Sequence, residues 1–176
     1  LAVEHLISLG HRRIAYVGES SVISALRRKE AYLECLRIHN ISSDENLIRC
    51  AEGNMVEAGY NIMKDLMTLP SPPTAVFFST DMLAIGANNA AHNMGLQIPE
   101  DVSLVGFDDV FMSQYLSPPL TTVFQSAYDK GRIAAKTLID YLEDGVPMSN
   151  QLLDISLQLR SSTAPPHTQK DSRRLS

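Results

Sequence analysis

The chain has 176 residues, of which 44% are hydrophobic and 20% are charged, values that exclude a disordered protein and are typical of a globular one. Its net charge of -5 argues against this segment binding nucleic-acid phosphates by itself. Any contacts with nucleic acid are therefore expected from another part of the protein. No apolar run is long enough to cross a bilayer, and the start inside an apolar-periodic run indicates a fragment of a longer protein.

Helices and strands are predicted to alternate over the first 109 residues. Apolar periodicity predicts helices over 1–9, 24–40, 56–69 and 82–94, the second with Leu26, Leu33 and Leu36 buried. Short apolar runs predict strands over 14–17, 47–50, 75–78 and 102–105. Short connections between alternating elements favour parallel strands joined by right-handed crossovers. The predicted fold class is therefore α/β, with a doubly wound parallel sheet.

The pattern changes after residue 109. A short helix over 110–116 and a strand over 120–124 are predicted, with a rigid proline turn between them. A helix over 128–144 ends at Gly145, and alternating apolar residues over 152–159 predict a further strand. Prolines and polar residues from 164 onward predict a disordered tail.

Neither a catalytic site nor a metal or cofactor site is predicted. The histidines fall on helices, turns and the tail, and no G-x-S-x-G elbow is present. The loop at 18–21 lacks the lysine of a phosphate loop and the glycine triplet of a dinucleotide fold. Only Asp108 and Asp109 are taken to have metal-ligand spacing on one element. Cys35 and Cys50 are expected to be reduced packing residues of a cytoplasmic protein.

Polar residues follow the predicted strands at their carboxyl ends, where open α/β sheets bind ligands. In chain order they are Ser20, Ser21, Ser24, Asn54, Thr80, Asp81, Asp108, Asp109 and Gln125, with Met55 beside Asn54 and Arg28 one turn into the second helix. An arginine facing a carboxylate, with hydroxyl and amide groups between them, suits a polyol. Taken singly, Ser24, Asn54 and Thr80 are also plausible helix caps, and Arg28 a solvated helix residue.

Several motifs in register resemble the lactose/galactose repressor (LacI/GalR) family of bacterial transcription regulators. They are GHRRIAYVG at 10–18, AVFFSTDMLAIG at 75–86, IPEDVSLVGFDD at 98–109, PPLTTV at 118–123 and LRSST at 159–163. Arg28 followed by Ala31 and Tyr32 also fits. The resemblance covers about residues 1–163.

The resemblance implies a periplasmic-binding-protein-like (type I) effector domain, in which two α/β lobes enclose a ligand. Residues 1–122 would form the C-terminal lobe, 123–158 would cross to the N-terminal lobe, 159–163 would be a return strand and 164–176 the tail. The DNA-binding headpiece and most of the N-terminal lobe would be absent. The crossing helix is therefore expected to expose apolar surface.

The resemblance also implies a ligand site and a dimer interface. Arg28 matches the effector-binding arginine and Asp108 the carboxylate that bonds sugar hydroxyls, with Ser24, Phe107 and Gln125 beside them. Met55 replaces an aromatic ring and Thr80 an asparagine of other members, which leaves the ligand's identity open. The implied dimer-interface residues are Ile85, Asn88, Asn89, His92, Met112 and Tyr115.

By resemblance, the segment is the effector-binding and dimerisation part of a cytoplasmic transcriptional repressor. Its partners would be a sugar-like effector, a second copy of the chain and operator DNA reached through the headpiece, with no membrane. One alternative is a secreted sugar-binding protein of a transport system, which a signal peptide before residue 1 would favour. Another is an enzyme on a doubly wound sheet, against which the missing nucleophile and cofactor loop argue.

Overall fold

A six-stranded sheet with helices on both faces forms the body of the computed structural model, which describes residues 1–167. In chain order the elements are α1 (Ala2–Ser8), β1 (Ile14–Glu19), α2 (Ile23–Ile38), β2 (Ile48–Ala51), α3 (Met55–Met67), β3 (Ala75–Phe78), α4 (Asp81–Asn93), β4 (Ser103–Asp108), β5 (Thr121–Gln125), α5 (Ala127–Asp144) and β6 (Ile155–Gln158). Two short 3-10 turns, Glu45–Leu47 and Phe111–Tyr115, lie before β2 and β5. The predicted α/β alternation is confirmed.

The strand order is β2-β1-β3-β4-β5-β6, and β1 to β5 are all parallel. The chain passes from β1 to β2 on one side and then returns to β3 on the other, so the order reverses between β1 and β3. Crevices at such a reversal, at the carboxyl ends of the strands, are the usual ligand sites of this architecture. The edge strand β6 departs from the parallel prediction, because it pairs antiparallel with β5.

Alternate residues of the central strands enter two separate apolar cores. In β3, Val76 and Phe78 pack in the core shared with α3 and α4, whereas Ala75 and Phe77 pack in the core shared with α1 and α2. All four side chains are buried. A strand covered on both faces must be apolar throughout, which is why this strand was predictable to the residue.

Helix α2 differs from its predicted form at its start and on its buried face. Its N-cap is Val22 instead of Ser24, and no side chain caps the helix. Leu26 was predicted to be buried but is 42% exposed, whereas Ala25, Tyr32 and Leu36 are buried. The capping prediction was wrong because α2 begins at Ile23, which places Ser24 inside the helix. The Leu26 prediction was wrong because Tyr32, which donates a hydrogen bond to Ile14 O, turns a different face of α2 toward the sheet.

The predicted return strand at 159–163 is wrong, because this segment is an irregular loop between the starts of β4 and β5. Ser162 Oγ donates to Leu104 O (2.6 Å) and accepts from Thr121 N (2.8 Å). Leu104 N donates in turn to Ser162 O (2.8 Å). A side-chain hydroxyl therefore satisfies backbone groups that a regular strand would have paired, and the segment is fixed without ladder geometry.

The predicted disordered tail, 164–176, begins too early in the chain. Ala164 N donates to Ser103 Oγ (3.0 Å), and Ala164 O accepts from Ser103 Oγ (3.1 Å) and from His11 Nε2 (2.8 Å). Ala164 is thus held against β4 and the buried His11. The remainder of the tail prediction, over 168–176, lies outside the described residues.

Helix α5 has no buried residue. Its apolar side chains face solvent, with Leu142 70% exposed and Ile139 51% exposed. The predicted exposed apolar surface on this helix is therefore confirmed. The assignment of residues 123–158 to a second lobe stays a prediction, as does the assignment of 1–122 to the C-terminal lobe.

Candidate ligand-binding site

Four side chains form a continuous polar and aromatic contact at the carboxyl edge of the sheet. Arg28 reaches this edge from α2, Phe107 and Asp108 end β4, and Gln125 ends β5. The Arg28 guanidinium lies over the Phe107 ring, with Cζ 3.6 Å from the ring centroid. Its Nη2 lies 4.0 Å from Asp108 Oδ1, and its Nη1 donates to Ser79 O (2.6 Å). The aromatic plane and the backbone carbonyl thus fix the direction of the guanidinium fork.

Two tyrosines place α2, and with it Arg28, on the sheet. Tyr16 OH donates to Ala25 O (2.6 Å) and Tyr32 OH donates to Ile14 O (2.9 Å). Burial raises the pKa of each hydroxyl to about 12, so both stay protonated donors at neutral pH. These bonds tie α2 to β1 at Ala25 and at Tyr32, which precede and follow Arg28 along the helix.

Asp108 is oriented by its backbone and by Gln125. Its φ of 112° lies in a region that side chains rarely adopt, and Asp109 follows with a φ of 52°. Gln125 Nε2 donates to Asp108 Oδ1, while Lys130 Nζ donates to Gln125 Oε1 (2.8 Å) and fixes the amide orientation. Among residues 1–167, the hydrogen bond from Gln125 and the ion pair with Arg28 both use Oδ1 of Asp108. The other oxygen, Oδ2, can therefore accept a hydrogen bond from a ligand hydroxyl.

A buried carboxylate holds the loop that follows Asp108. Asp81 accepts hydrogen bonds from Val110 N (2.9 Å), Ser113 Oγ (2.5 Å) and Thr122 Oγ1 (2.6 Å). Burial raises the pKa of Asp81, and these three bonds oppose that shift by stabilising the charged form. Asp81 thus connects three parts of the chain, namely α4, the loop that follows β4, and strand β5.

Asp109 braces the same loop through an ion pair with Arg160. Its Oδ1 accepts from Arg160 Nη2 (2.6 Å), and Arg160 Nη1 donates to Leu120 O (2.8 Å). Both charged side chains are about one-fifth exposed, at 18% for Asp109 and 21% for Arg160. The two adjacent aspartates therefore have different partners, Asp108 contacting Arg28 and Gln125 and Asp109 contacting Arg160.

An open groove of about 790 Å³ adjoins the polar contact. Of the predicted ligand residues, Ser24, Arg28, Phe107 and Gln125 line this groove. Asp108 contacts two of these lining residues, Arg28 and Gln125. Two predicted members are not brought to this groove. Thr80 is the N-cap of α4, where its Oγ1 accepts from Met82 N (3.4 Å), and Met55 packs against the apolar core.

Two residues of this edge escaped the sequence analysis. Ser79 follows β3 and donates its hydroxyl hydrogen to Glu19 Oε2 (2.8 Å) at the end of β1. Ser79 O also accepts from Arg28. Ser79 and Glu19 each lie where a strand ends, so the rule that identified Asp108 and Gln125 applies to them as well.

The comparisons with known proteins agree on one class of domain. The family of the periplasmic binding protein-like domain matches residues 3–163. The HTH-type transcriptional repressor CytR of Escherichia coli (strain K12) is 39% identical over 165 residues, which are 92% of this chain and 48% of that protein. The probable HTH-type transcriptional repressor ExuR of Bacillus subtilis (strain 168) is 38% identical over 154 residues, 87% of this chain and 46% of that protein.

Solved structures give the same result. A LacI family transcriptional regulator from Mycobacterium smegmatis has a TM-score of 0.87 at 35% identity, covering 94% of this chain and 62% of that one. The Lac repressor dimer bound to operator and the anti-inducer ONPF has a TM-score of 0.86 at 32% identity, with coverages of 93% and 57%. A LacI family regulator from Enterococcus faecium with bound ribose has a TM-score of 0.85 at 32% identity, with coverages of 93% and 61%.

The fold and the edge site define a periplasmic-binding-protein-like domain. Within that class, the chain belongs to the LacI/GalR family, and its sequence is that of the effector-binding domain. It spans about half the length of the curated relatives it matches, 48% of CytR and 46% of ExuR. Among residues 1–167, no helix is both long and apolar enough to span a membrane.

Proposed function

We propose that this chain is the effector-binding and dimerisation part of a cytoplasmic transcriptional repressor, in which a sugar-like ligand changes the affinity for operator DNA. The observation that carries the proposal is the contact of Arg28, Phe107, Asp108 and Gln125 at the carboxyl edge of the sheet. CytR and ExuR are named as transcriptional repressors, and the Enterococcus faecium regulator holds ribose. These names favour a repressor over a secreted transport protein or an enzyme.

The geometry suits a ligand rich in hydroxyl groups. Arg28 offers charged donors, Asp108 Oδ2 offers an acceptor, and the amide of Gln125 lies between two charged neighbours. A hydroxyl group donates and accepts at once, so one sugar hydroxyl can join the carboxylate to the guanidinium. The Arg28–Asp108 separation of 4.0 Å is long for a direct hydrogen bond, and both side chains are partly exposed, at 20% and 30%. The pair is thus accessible to such a hydroxyl.

In the proposed mechanism, the ligand binds one conformation of the two lobes better than the other and so shifts their populations. The coupling to DNA is reciprocal, because a ligand that alters operator affinity has its own affinity altered by the same factor. The net charge of -5 is consistent with phosphate contacts made by a different segment of the protein.

The function is tested on the intact protein in two stages. A thermal-shift screen with ribose, other pentoses, hexoses, hexuronates and purines identifies a ligand, and selection from random duplexes identifies an operator. We expect the ligand to change operator affinity by about 5- to 150-fold, the usual range of allosteric coupling, measured by fluorescence anisotropy. If a ligand bound in the groove leaves DNA affinity unchanged, or if no duplex is selected, the repressor function is rejected.

The proposed dimer surface lies on α4 and on the turn Phe111–Tyr115. Ile85 is half-buried, and Asn89, His92, Met112 and Tyr115 are exposed there. The sixth predicted member, Asn88, is only 6% exposed, and its Nδ2 donates to Ser117 O (3.4 Å) within the chain. It therefore offers a partner less surface than the other five.

Replacing Met112 with glutamate is expected to weaken the dimer by at least about tenfold. Met112 is 55% exposed, and a charge placed in the apolar centre of an interface remains unpaired when the interface forms. Sedimentation velocity over a dilution series measures the dissociation constant. The matched control is Ile38→Glu, which adds the same charge at a 61% exposed residue on α2, against the opposite face of the sheet. Equal effects of both variants, or none from Met112→Glu, would rule out this surface.

A further inference from the structure

Three potential metal ligands meet between α1 and α2, away from the polar edge. Glu4 lies on α1, Cys35 lies in the last turn of α2, and His39 is the C-cap of α2. The carboxylate, thiol and imidazole ligand atoms all lie within 4.8 Å of one another. Cys35 and His39 are four residues apart, which places both on one helix face. The spacing contradicts our expectation that only Asp108 and Asp109 have ligand spacing on one element.

From this geometry we propose that Glu4, Cys35 and His39 bind a divalent cation of borderline softness, Zn²⁺ above others. Zinc accepts thiolate, imidazole and carboxylate ligands together, with bonds of about 2.0–2.3 Å. Tetrahedral coordination at those lengths requires ligand atoms roughly 3.3–3.8 Å apart. The three atoms lie within 4.8 Å of one another, and binding would require rotation about side-chain bonds to bring them to that separation.

The site is accessible and has room for a fourth ligand. Glu4 and His39 are exposed, and Cys35 is half-buried. All three line the far part of the open groove that begins at Arg28. A cation with three protein ligands keeps one position for water, as open zinc sites do. Cys35 lies about two turns beyond Arg28 on α2, so the cation site is roughly 10 Å along the helix from the ligand arginine.

A bound cation would change the charges of the site. Zn²⁺ would displace the proton of the Cys35 thiol and place positive charge between the thiolate and the Glu4 carboxylate.

The test uses the intact protein, freed of metal and then titrated with Zn²⁺ by calorimetry and with Co²⁺ by absorption spectroscopy. We expect one Zn²⁺ per chain and a cobalt–thiolate charge-transfer band. Cys35→Ser should abolish the band and weaken Zn²⁺ binding by more than about 100-fold, since loss of an outer-shell partner alone costs about 10- to 100-fold. His39→Asn and Glu4→Gln, at exposed positions where folding is not at risk, should each weaken Zn²⁺ binding at least tenfold.

The second free cysteine supplies the matched control. Cys50 is exposed on β2 and is not part of the Glu4–Cys35–His39 group. Cys50→Ser is therefore expected to keep both the cobalt band and the Zn²⁺ affinity. The proposal is overturned if the native protein shows no cobalt–thiolate band, if Cys50→Ser removes it, or if His39→Asn and Glu4→Gln bind Zn²⁺ as tightly as the native protein.

Discussion

Replacing Gly86 with alanine is expected to lower the free energy of unfolding by about 3 kcal/mol or more. A Cβ atom on Gly86 would lie 1.9 Å from Val56 O and 2.8 Å from Tyr60 N, both of which belong to the backbone of α3. Gly59 makes the reciprocal approach, since its Cβ would lie 2.1 Å from Leu83 O on α4. A backbone carbonyl cannot rotate away as a side chain can, so the added methyl group must push α3 and α4 apart.

The separation of α3 and α4 would also loosen the apolar core beneath them. Met63 and Leu66 of α3, and Leu83 of α4, are all buried in that core. A loss of 3 kcal/mol is a large part of the roughly 5–15 kcal/mol that stabilises a typical protein. Thermal unfolding of the intact protein, followed by circular dichroism, measures the effect.

Gly131→Ala is the matched control for this substitution. Gly131 lies in α5, where an added Cβ would meet nothing within 4 Å. In a helix interior, alanine is preferred to glycine by roughly 0.5–1 kcal/mol, so this variant should unfold at an equal or higher temperature. Similar unfolding temperatures for Gly86→Ala and the native protein would show that the α3–α4 contact is looser than the structure has it.

The elements that the sequence predicted best are those whose signal is local. Ala75–Phe78 is apolar at every position, follows a proline-rich turn and precedes the N-cap Thr80, so its bounds needed no tertiary information. The cap at Asn54 was predicted for the same reason, and its Oδ1 accepts from Val56 N (3.1 Å). The capping bonds of Asn54 and Thr80 go to residues two or three positions later in the chain, so the local sequence is enough to predict both caps.

The errors fall where distant contacts decide the outcome. Leu26 follows the apolar pattern of a buried residue, yet the hydroxyl of Tyr32 sets which face of α2 meets β1. Ser162 belongs to the segment that the family resemblance assigned to a strand, but its side chain replaces the backbone ladder. Neither event leaves a periodic signal, because both depend on groups more than fifteen residues away in the chain.

For the site, the carboxyl-end rule identified Asp108 and Gln125 but did not decide which polar neighbours converge on them. Thr80 obeys the same rule and is used as a cap, whereas Glu19 and Ser79 obey it and lie beside Arg28. Similarly, Cys35 and His39 share a helix face in the sequence, but only the packing of α1 on α2 brings Glu4 to them. The approach of one helix to another depends on the tertiary fold, and the local sequence of either helix does not show it.

The largest effect on ligand binding is expected from Asp108→Ala and Arg28→Ala. Each should weaken binding of the ligand found in the thermal-shift screen by about 2–4 kcal/mol, which is roughly 30- to 700-fold in the dissociation constant. Removing either partner takes away one of the two hydrogen bonds proposed for the ligand hydroxyl and leaves the other charged group without its opposite charge in a partly buried site. Calorimetry on the intact protein measures both constants.

Arg28→Lys separates charge from geometry at the same position. Lysine keeps the positive charge but lacks the planar fork that stacks on Phe107 while donating to Ser79 O. We therefore expect Arg28→Lys to recover only part of the affinity that Arg28→Ala loses. Arg37→Ala is the matched control, since Arg37 lies on the same helix, pairs with Glu34 and has a side chain that is 72% exposed. Unchanged ligand affinity in both Arg28→Ala and Asp108→Ala would remove these residues from the site, whereas a loss in Arg37→Ala would indicate a general effect on α2.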